Sequence, residues 1–184
     1  IKEPEEKFEG VIYQKCDVKK KINTTIEITE KDKIVNLAAI HTTPGHKKNE
    51  YYETNILGAK NICNFAREKG ITKILFFSSI SVYGTSEEEK YEFSSLFPDS
   101  HYGISKIVAE QTNILWQSED SKTRQLIILR PGVVFGKNEN GNFTRMINLI
   151  KKGFFFFPGK DTTLKSLIYV KDLIRIAYEL LDKS

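Results

Sequence analysis

Three short apolar runs set the limits on what this chain can fold into. "DKIVNLAAI" (32–40), "TKILFFSS" (72–79) and "RQLIILRP" (124–131) are each of strand length with a mainly apolar centre that does not alternate with polar residues. A strand with one wet face alternates apolar and polar residues. A continuous run is buried on both faces, as in a parallel sheet covered by helices on each side. Parallel neighbours need a crossover of a dozen or more residues, usually helical, and the intervening segments supply it. Between 50 and 69, Tyr52, Ile56, Ala59, Ile62, Cys63 and Ala66 share one side of a helix, and Gly70 stands where that helix stops. A second helix is expected over 102–116 with Ser100 as its N-cap. The polar stretch 85–101, which contains Pro98, reads as a loop. "GVIYQKCDV" (10–18) reads as a further strand, 143–152 as a helix, "SLIYV" (166–170) as a short strand or turn, and a last helix begins near Asp172. The alternation predicts an α/β fold, a doubly wound parallel sheet of the Rossmann kind.

Composition excludes more than it identifies. A chain of 184 residues is long enough for one domain with a real core. The net charge of +4 is modest, and the lysine clusters at 19–21 and 47–48 read as solvated faces, with no nucleic-acid partner expected. "ILFF" and "FFFF" (154–157) are too short to span a bilayer, no signal-peptide pattern opens the chain, and no membrane partner is expected. "FFFF" is expected in the core or under a partner; uncovered, it would be a sticky patch. Cys16 and Cys63 match no redox or metal spacing, and His41, His46 and His101 form no ligand set, so no metal is expected. Cys63 reads as a core residue. A reducing, cytoplasmic setting fits.

Ligands of open α/β sheets sit beyond the carboxyl ends of the strands. The runs end in Leu37-Ala38-Ala39, where small side chains let a ligand approach the backbone, in Ser78-Ser79, and in Arg130-Pro131-Gly132. Tyr102 and Lys106 begin the helix that follows the serine-ended strand and its loop. They are four apart, on one helical face. Spacing alone reads first as packing and surface charge, since a Tyr and a Lys four apart occur by chance on many helices. Placement makes it chemistry: Ser79, Tyr102 and Lys106 can converge on one crevice. A phenol with its ordinary pKa near 10 is a poor base at neutral pH, and an ammonium one turn away favours the phenolate. Tyr102 could then move the proton of a substrate hydroxyl while Ser79 holds the same oxygen, with a nicotinamide taking the hydride.

Together, "NLAAIH" (36–41), "NILGAKNICNFAREKGITKILFFSSISVYG" (55–84), "YGISKIVAEQ" (102–111), "RPGVVFG" (130–136) and "SLIYVKDL" (166–173) resemble the extended short-chain dehydrogenase/reductase superfamily. The group resembled is its NAD-dependent sugar-nucleotide epimerases and dehydratases. The resemblance implies Tyr102, Lys106 and Ser79 as catalytic residues, with Tyr102 and Lys106 also at the cofactor. It implies cofactor contacts at Asp17 (near the adenine), Leu37, Ala38, Ala39, Asn55, Ser78, Pro131 and Val133. Substrate contacts are implied at Ser79, Ser81, Tyr102, Asn142 and Lys165. At the last position arginine is common, and lysine keeps the charge without the bidentate fork. NAD is the implied cofactor, with NADP left open, and a nucleotide sugar the implied substrate. A homodimer through helices 50–69 and 102–116 is implied, as is a place in polysaccharide biosynthesis. The alternatives are a reductase of another hydroxyl or carbonyl, such as a hydroxysteroid, and a catalytically inactive binding relative.

The family's opening strand, Gly-x-x-Gly-x-x-Gly turn and helix have no counterpart before Asp17, and the chain stops soon after "YVKDL". Ile1 is not an initiator, and the only methionine is Met146. The expectation is the middle of an epimerase. Residues 1–136 would form a partial NAD(P)-binding domain, and 137–184 part of a small substrate-binding region with a returning Rossmann element. In the order 3-2-1-4-5-6, "GVIYQKCDV" would lack its neighbour and "KIVNLAAI" would become an open edge. Residues 1–20 are therefore expected to be displaced or unusually paired, and cofactor affinity and activity of this chain to be low or absent.

Overall fold

The computed structural model describes residues 7–41, 45–137, 139, 141–154 and 164–183. Three of the expected runs form one parallel sheet. Its strands are β1 (Lys33–Asn36), β2 (Lys73–Phe77) and β3 (Gln125–Leu129), in the order β1-β2-β3. The register aligns Lys33 with Lys73 and Phe77 with Leu129, so the carboxyl ends of β2 and β3 lie side by side.

The crossovers are helical. α1 (Lys48–Tyr51) continues through a π-helical stretch, Tyr52–Leu57, into α2 (Gly58–Lys69). Gly70 ends α2 in the left-handed conformation, φ 69°, which glycine adopts without steric cost. α3 (His101–Ser118) starts at Ser100, whose side chain accepts from the Gly103 N–H at 3.1 Å, as the N-cap reading requires. α2 and α3 cover one face of the sheet. Cys63, Ala66, Ile71, Ile74 and Trp116 form one buried cluster, and Ala59, Phe76 and Ala109 another. Side chains alternate along a strand, so Lys73 and Leu75 point to the opposite face. There the Nζ atoms of Lys73 and Lys33 both donate to the Leu181 carbonyl, at 3.2 and 2.7 Å, near the end of α5 (Val170–Lys183). Cations at a helix C-terminus complement its dipole. Among the described residues, no helix is long and apolar enough to cross a membrane.

A second sheet pairs β4 (Val133–Phe135) with β5 (Leu167–Tyr169) in parallel, and α4 (Asn142–Lys151) lies between them in sequence. β5 and α4 match the expectation. β4 was not anticipated: Val133, Val134 and Phe135 favour a strand, but three residues between Gly132 and Gly136 are too short a run to stand out, and Leu167–Tyr169 pairs with them.

"GVIYQKCDV" corrects the sequence reading. Its nine residues form no strand. An extended segment becomes a strand only when a ladder partner takes its N–H and C=O groups, and here none does. Residues 7–31 instead run as an irregular arm past α2. Asn61 donates to the Val18 carbonyl at 2.7 Å, and Ile28 packs on the first core cluster. Gly58 permits this approach, since a Cβ there would stand 2.9 Å from Val18 Cγ2. The described part of 1–20 is therefore displaced from the sheet, as expected, and β1 is its open edge, with Val35 and Leu37 exposed. Of "FFFF", Phe154 is exposed and Phe155–Phe157 lie outside the described residues.

Candidate active site

The carboxyl end of β2 organises the site. Beyond Phe77 the chain stays extended through Ser78, whose N–H donates to the Leu129 carbonyl at 2.7 Å. Ser79 then caps a 3-10 turn, Ile80–Tyr83. Its Oγ accepts from the Ser81 N–H and donates to Ser81 Oγ, both at 3.1 Å. The Ile80 N–H donates to the Pro131 carbonyl at 3.1 Å, which ties the turn to the end of β3. Two glycines let the segments close on this turn. Gly84, at φ +70°, passes under the Phe97 carbonyl, and Gly103 packs against the Ser81 carbonyl, where a Cβ would come within 2.4 Å. The start of α3 is thereby pressed onto the turn, and the Ser79 hydroxyl faces the Tyr102 phenol.

Lys106, only 2 % exposed, reaches from α3 to the same strand end. Its Nζ donates to the Phe77 carbonyl at 2.5 Å and lies 4.4 Å from the Phe76 ring centroid. Ser79, Tyr102 and Lys106 thus meet at the end of β2. The electrostatics differ from the sequence reading. Burial pushes the Tyr102 phenol above its ordinary value, with the Ser79 hydroxyl opposing, where a lowered value was expected. The reason is burial: a phenol taken out of water loses hydration of its charged form. Burial also brings Lys106 down to about 8, against the pull of Glu110.

The other sequence-predicted residues divide by what they touch. Asn55, in the π-helical stretch, is buried. It accepts from the Ile40 N–H (2.8 Å) and donates to the Ile40 carbonyl (3.0 Å) and to Ser105 Oγ (2.8 Å), which donates to the Tyr102 carbonyl at 2.7 Å. It joins the segment after β1 to the start of α3. A π-bulge commonly marks such a place. Ala38 and Ala39 are half-buried and Leu37 exposed. An apolar cleft of about 340 Å³ beside them is lined by Val18, Ile22, Leu37 and Ala38. Asp17, next to Val18, is exposed, and its carboxylate accepts from the Lys19 N–H at 3.1 Å. Ser78 Oγ is buried without a hydrogen-bond partner among the described residues. The Val133 N–H donates to the Ser166 carbonyl at 2.9 Å, which brings exposed Lys165 beside Gly132 and Val133. Asn142 opens α4, and its side chain lies outside the described residues.

Glu110 escaped the sequence reading. It is fully buried and takes a bidentate pair from Arg130, Nε to Oε1 at 3.0 Å and Nη2 to Oε2 at 2.8 Å. Arg130 Nη1 also donates to Tyr83 Oη (2.8 Å) and to the Glu92 carbonyl (3.0 Å). One signal was available: Glu110 lies one helical turn beyond Lys106, on the stripe that also holds buried Ala109 and Asn113.

A model of the NAD dependent epimerase/dehydratase family matches residues 2–184. The chain is 34 % identical over 150 residues to an N-acetyl-α-D-glucosaminyl-diphospho-ditrans,octacis-undecaprenol 4-epimerase of Escherichia coli O157:H7, covering 81 % of this chain and 45 % of that protein. It is 26 % identical over 184 residues to a UDP-glucose 4-epimerase of Vibrio cholerae, covering 96 % and 56 %. The structure of UDP-glucuronic acid 4-epimerase from Bacillus cereus in complex with NAD superposes with a TM-score of 0.71 at 24 % identity, covering 82 % of this chain and 50 % of that one. That likeness speaks to the fold. The chain spans about half the length of the curated relatives it matches.

Proposed function

Because the chain belongs to the NAD dependent epimerase/dehydratase family, we propose that Ser79, Tyr102 and Lys106 form the acid–base centre of a nicotinamide-dependent epimerase or dehydratase acting on a nucleotide sugar. The observation that carries this is their convergence at the carboxyl end of β2, where α/β sheets place ligands. Tyr102 moves the proton of a sugar hydroxyl, and Ser79 hydrogen-bonds the same oxygen. The raised phenol pKa suits donation of the proton to a carbonyl oxygen. In the reverse direction the Lys106 ammonium, fixed by the Phe77 carbonyl, is the nearby charge that favours the phenolate.

NAD, when bound, supplies the hydride acceptor and donor that no side chain provides. The residues present fit it: small Ala38 and Ala39, and the unpartnered buried Ser78 hydroxyl. With Leu37, Pro131 and Val133 they would hold the dinucleotide, with Lys106 at its ribose and Asp17 toward its adenine. Asn55 takes a positioning part beside them. Ser81, Asn142 and Lys165 would contact the sugar diphosphate. Exposed Ile104, Val108 and Leu115 on α3, with Leu57 before α2, support a homodimer through these helices. The setting proposed is the cytoplasm.

One observation favours a second carrier for the sugar. The relative at 34 % identity is named for a polyprenol-diphosphate sugar, whereas the Vibrio relative is named for a UDP-sugar. Both place a diphosphate on the hexose. The test supplies the full-length protein and NAD with UDP-linked or polyprenyl-diphosphate-linked sugar and follows conversion at the hexose. Tyr102→Phe is expected to lower turnover at least about a hundredfold while NAD still binds. Unchanged turnover in that variant overturns the assignment, and turnover of a steroid alcohol instead of either sugar overturns the substrate class.

A further inference from the structure

Four elements of the site meet at a side-chain cluster that the acid–base centre does not use. Glu110, on α3, is fully buried and held by both edges of the Arg130 guanidinium. Arg130 follows β3 directly. Through Tyr83 Oη it reaches the last residue of the turn that Ser79 caps, and through the Glu92 carbonyl it reaches the loop that leads to α3. Its guanidinium also lies 5.2 Å from the Tyr83 ring centroid. A buried ion pair gives little net stability over a well-packed apolar pair, so stability alone is a weak reason for such a cluster. Its position gives a better one. Glu110 lies one turn beyond Lys106, and its partner fixes the turn that carries Ser79 and Ser81.

We propose that Glu110, clamped by Arg130, is a positioning residue that holds Lys106 in its charged, strand-bound state and keeps the Ser79 turn in register with α3. The functional consequence rests on the acid–base reading of Tyr102 and Lys106 given above. A buried ammonium tends to lose its proton. Lys106 keeps it because the Phe77 carbonyl accepts from Nζ and a carboxylate sits one helical turn away. The charged group that bears on this ammonium is Glu110 on its own helix, with the Arg130 guanidinium after β3 paired to that carboxylate; Tyr83 in the turn touches Arg130 and not the carboxylate. Arg130 has a second part here: its two parallel hydrogen bonds stop the Glu110 carboxylate from swinging toward Lys106 and replacing the Phe77 carbonyl. Lysine at position 130 would lack that fork.

The test reads the lysine directly. Full-length protein carrying lysine labelled with 13C at Cε is titrated by NMR from pH 6 to 11, with Lys106→Met identifying the resonance. The wild-type midpoint is expected at about 8. Glu110→Gln keeps the shape and removes the charge, and it is expected to lower the midpoint by about one pH unit, as loss of a nearby opposite charge does. Glu110→Asp, which keeps the charge, is expected to restore most of it. Tyr83→Phe removes one Arg130 contact without touching the carboxylate and is expected to leave the midpoint in place. An unmoved midpoint in folded Glu110→Gln overturns the proposal and makes the pair purely structural. If the variants titrate as expected, the alkaline limb of turnover should move with them. A moved midpoint with no turnover from the wild-type protein would fault the proposed activity while leaving the positioning role intact. Should Glu110→Gln fail to fold, the double variant Glu110→Gln/Arg130→Met removes the unpaired charge and is read the same way.

Discussion

The arm at residues 7–31 and the end of β2 make an instructive pair. "GVIYQKCDV" in the arm is as rich in strand-forming side chains as "DKIVNLAAI", which contains β1. Only the second is a strand, because only the second has a neighbour in register. The hydrogen bonds of the arm are mostly local: Phe8 N–H to Tyr13 Oη, Thr24 Oγ1 to Gln14 Oε1, Lys19 N–H to Asp17. Those of the site join distant parts of the sequence, Asn55 to Ile40, Lys106 to Phe77, Arg130 to Tyr83. β-propensity describes a side chain that fits a pleated, half-buried surface; the surface must exist first. The site is rigid by construction because each of its segments is held by another.

The largest test of this contrast is core truncation. Trp116 is fully buried against Cys63 and Ile74, so Trp116→Ala should destabilise the chain by about 3–5 kcal/mol in urea denaturation. Ile12 in the arm is exposed, and Ile12→Ala should stay within about 0.5 kcal/mol. Comparable losses from both would mean that the arm is part of the folding unit and the contrast is false.

A smaller effect separates the two kinds of hydrogen bonding. Asn55→Ala leaves the Ile40 N–H and carbonyl and the Ser105 hydroxyl without the partner they now share. An unsatisfied buried polar group costs roughly 1–3 kcal/mol, so about 2–3 kcal/mol should be lost, again by urea denaturation, together with alignment of Tyr102. Thr24→Val in the arm, where the bond to Gln14 is exposed, should cost less than about 0.5 kcal/mol. Equal costs would show that Asn55 is less constrained than its three side-chain hydrogen bonds imply.

The same contrast explains what could be read from sequence. The β1, β2 and β3 runs and the α3 cap were legible because each is a local pattern: continuous apolar residues, or a serine three residues before Gly103. Tyr102, Lys106 and Ser79 were legible from their order along the chain. β4 was not, since three residues become a strand only through β5. The direction of the Tyr102 shift was not, because spacing shows that Lys106 shares its face but not how deeply the phenol is buried. Glu110 and Arg130 lie 20 residues apart on different elements, and nothing local links them. The hydrogen bonds of Asn55 likewise depend on Ile40 and Ser105, 15 and 50 residues away.

The smallest effect, and the most direct probe of burial, compares the two cysteines. Cys63 is fully buried on α2, with its Sγ 3.6 Å from Asn113 Oδ1, and burial pushes its thiol from 9.0 up to about 11. Cys16 is half-buried in the arm. The thiolate is the nucleophile, so a rise of that size lowers the reactive fraction of Cys63 about a hundredfold, before its lack of access is considered. Iodoacetamide at pH 8 should therefore label Cys16 first and Cys63 only on unfolding, as peptide mass mapping would show. The sign for stability follows from the raised folded-state pKa. The neutral thiol is favoured in the fold, so the contribution of Cys63 is fully present below about pH 9 and is lost as pH rises through about 11. Cys63→Ser, which removes the titration from this window, should flatten that part of the alkaline decline, whereas Cys16→Ser should leave it as it is. Labelling of both cysteines at equal rates in the folded chain would mean that α2 opens as readily as the arm, and the distinction between the two regions would fail at its most protected residue.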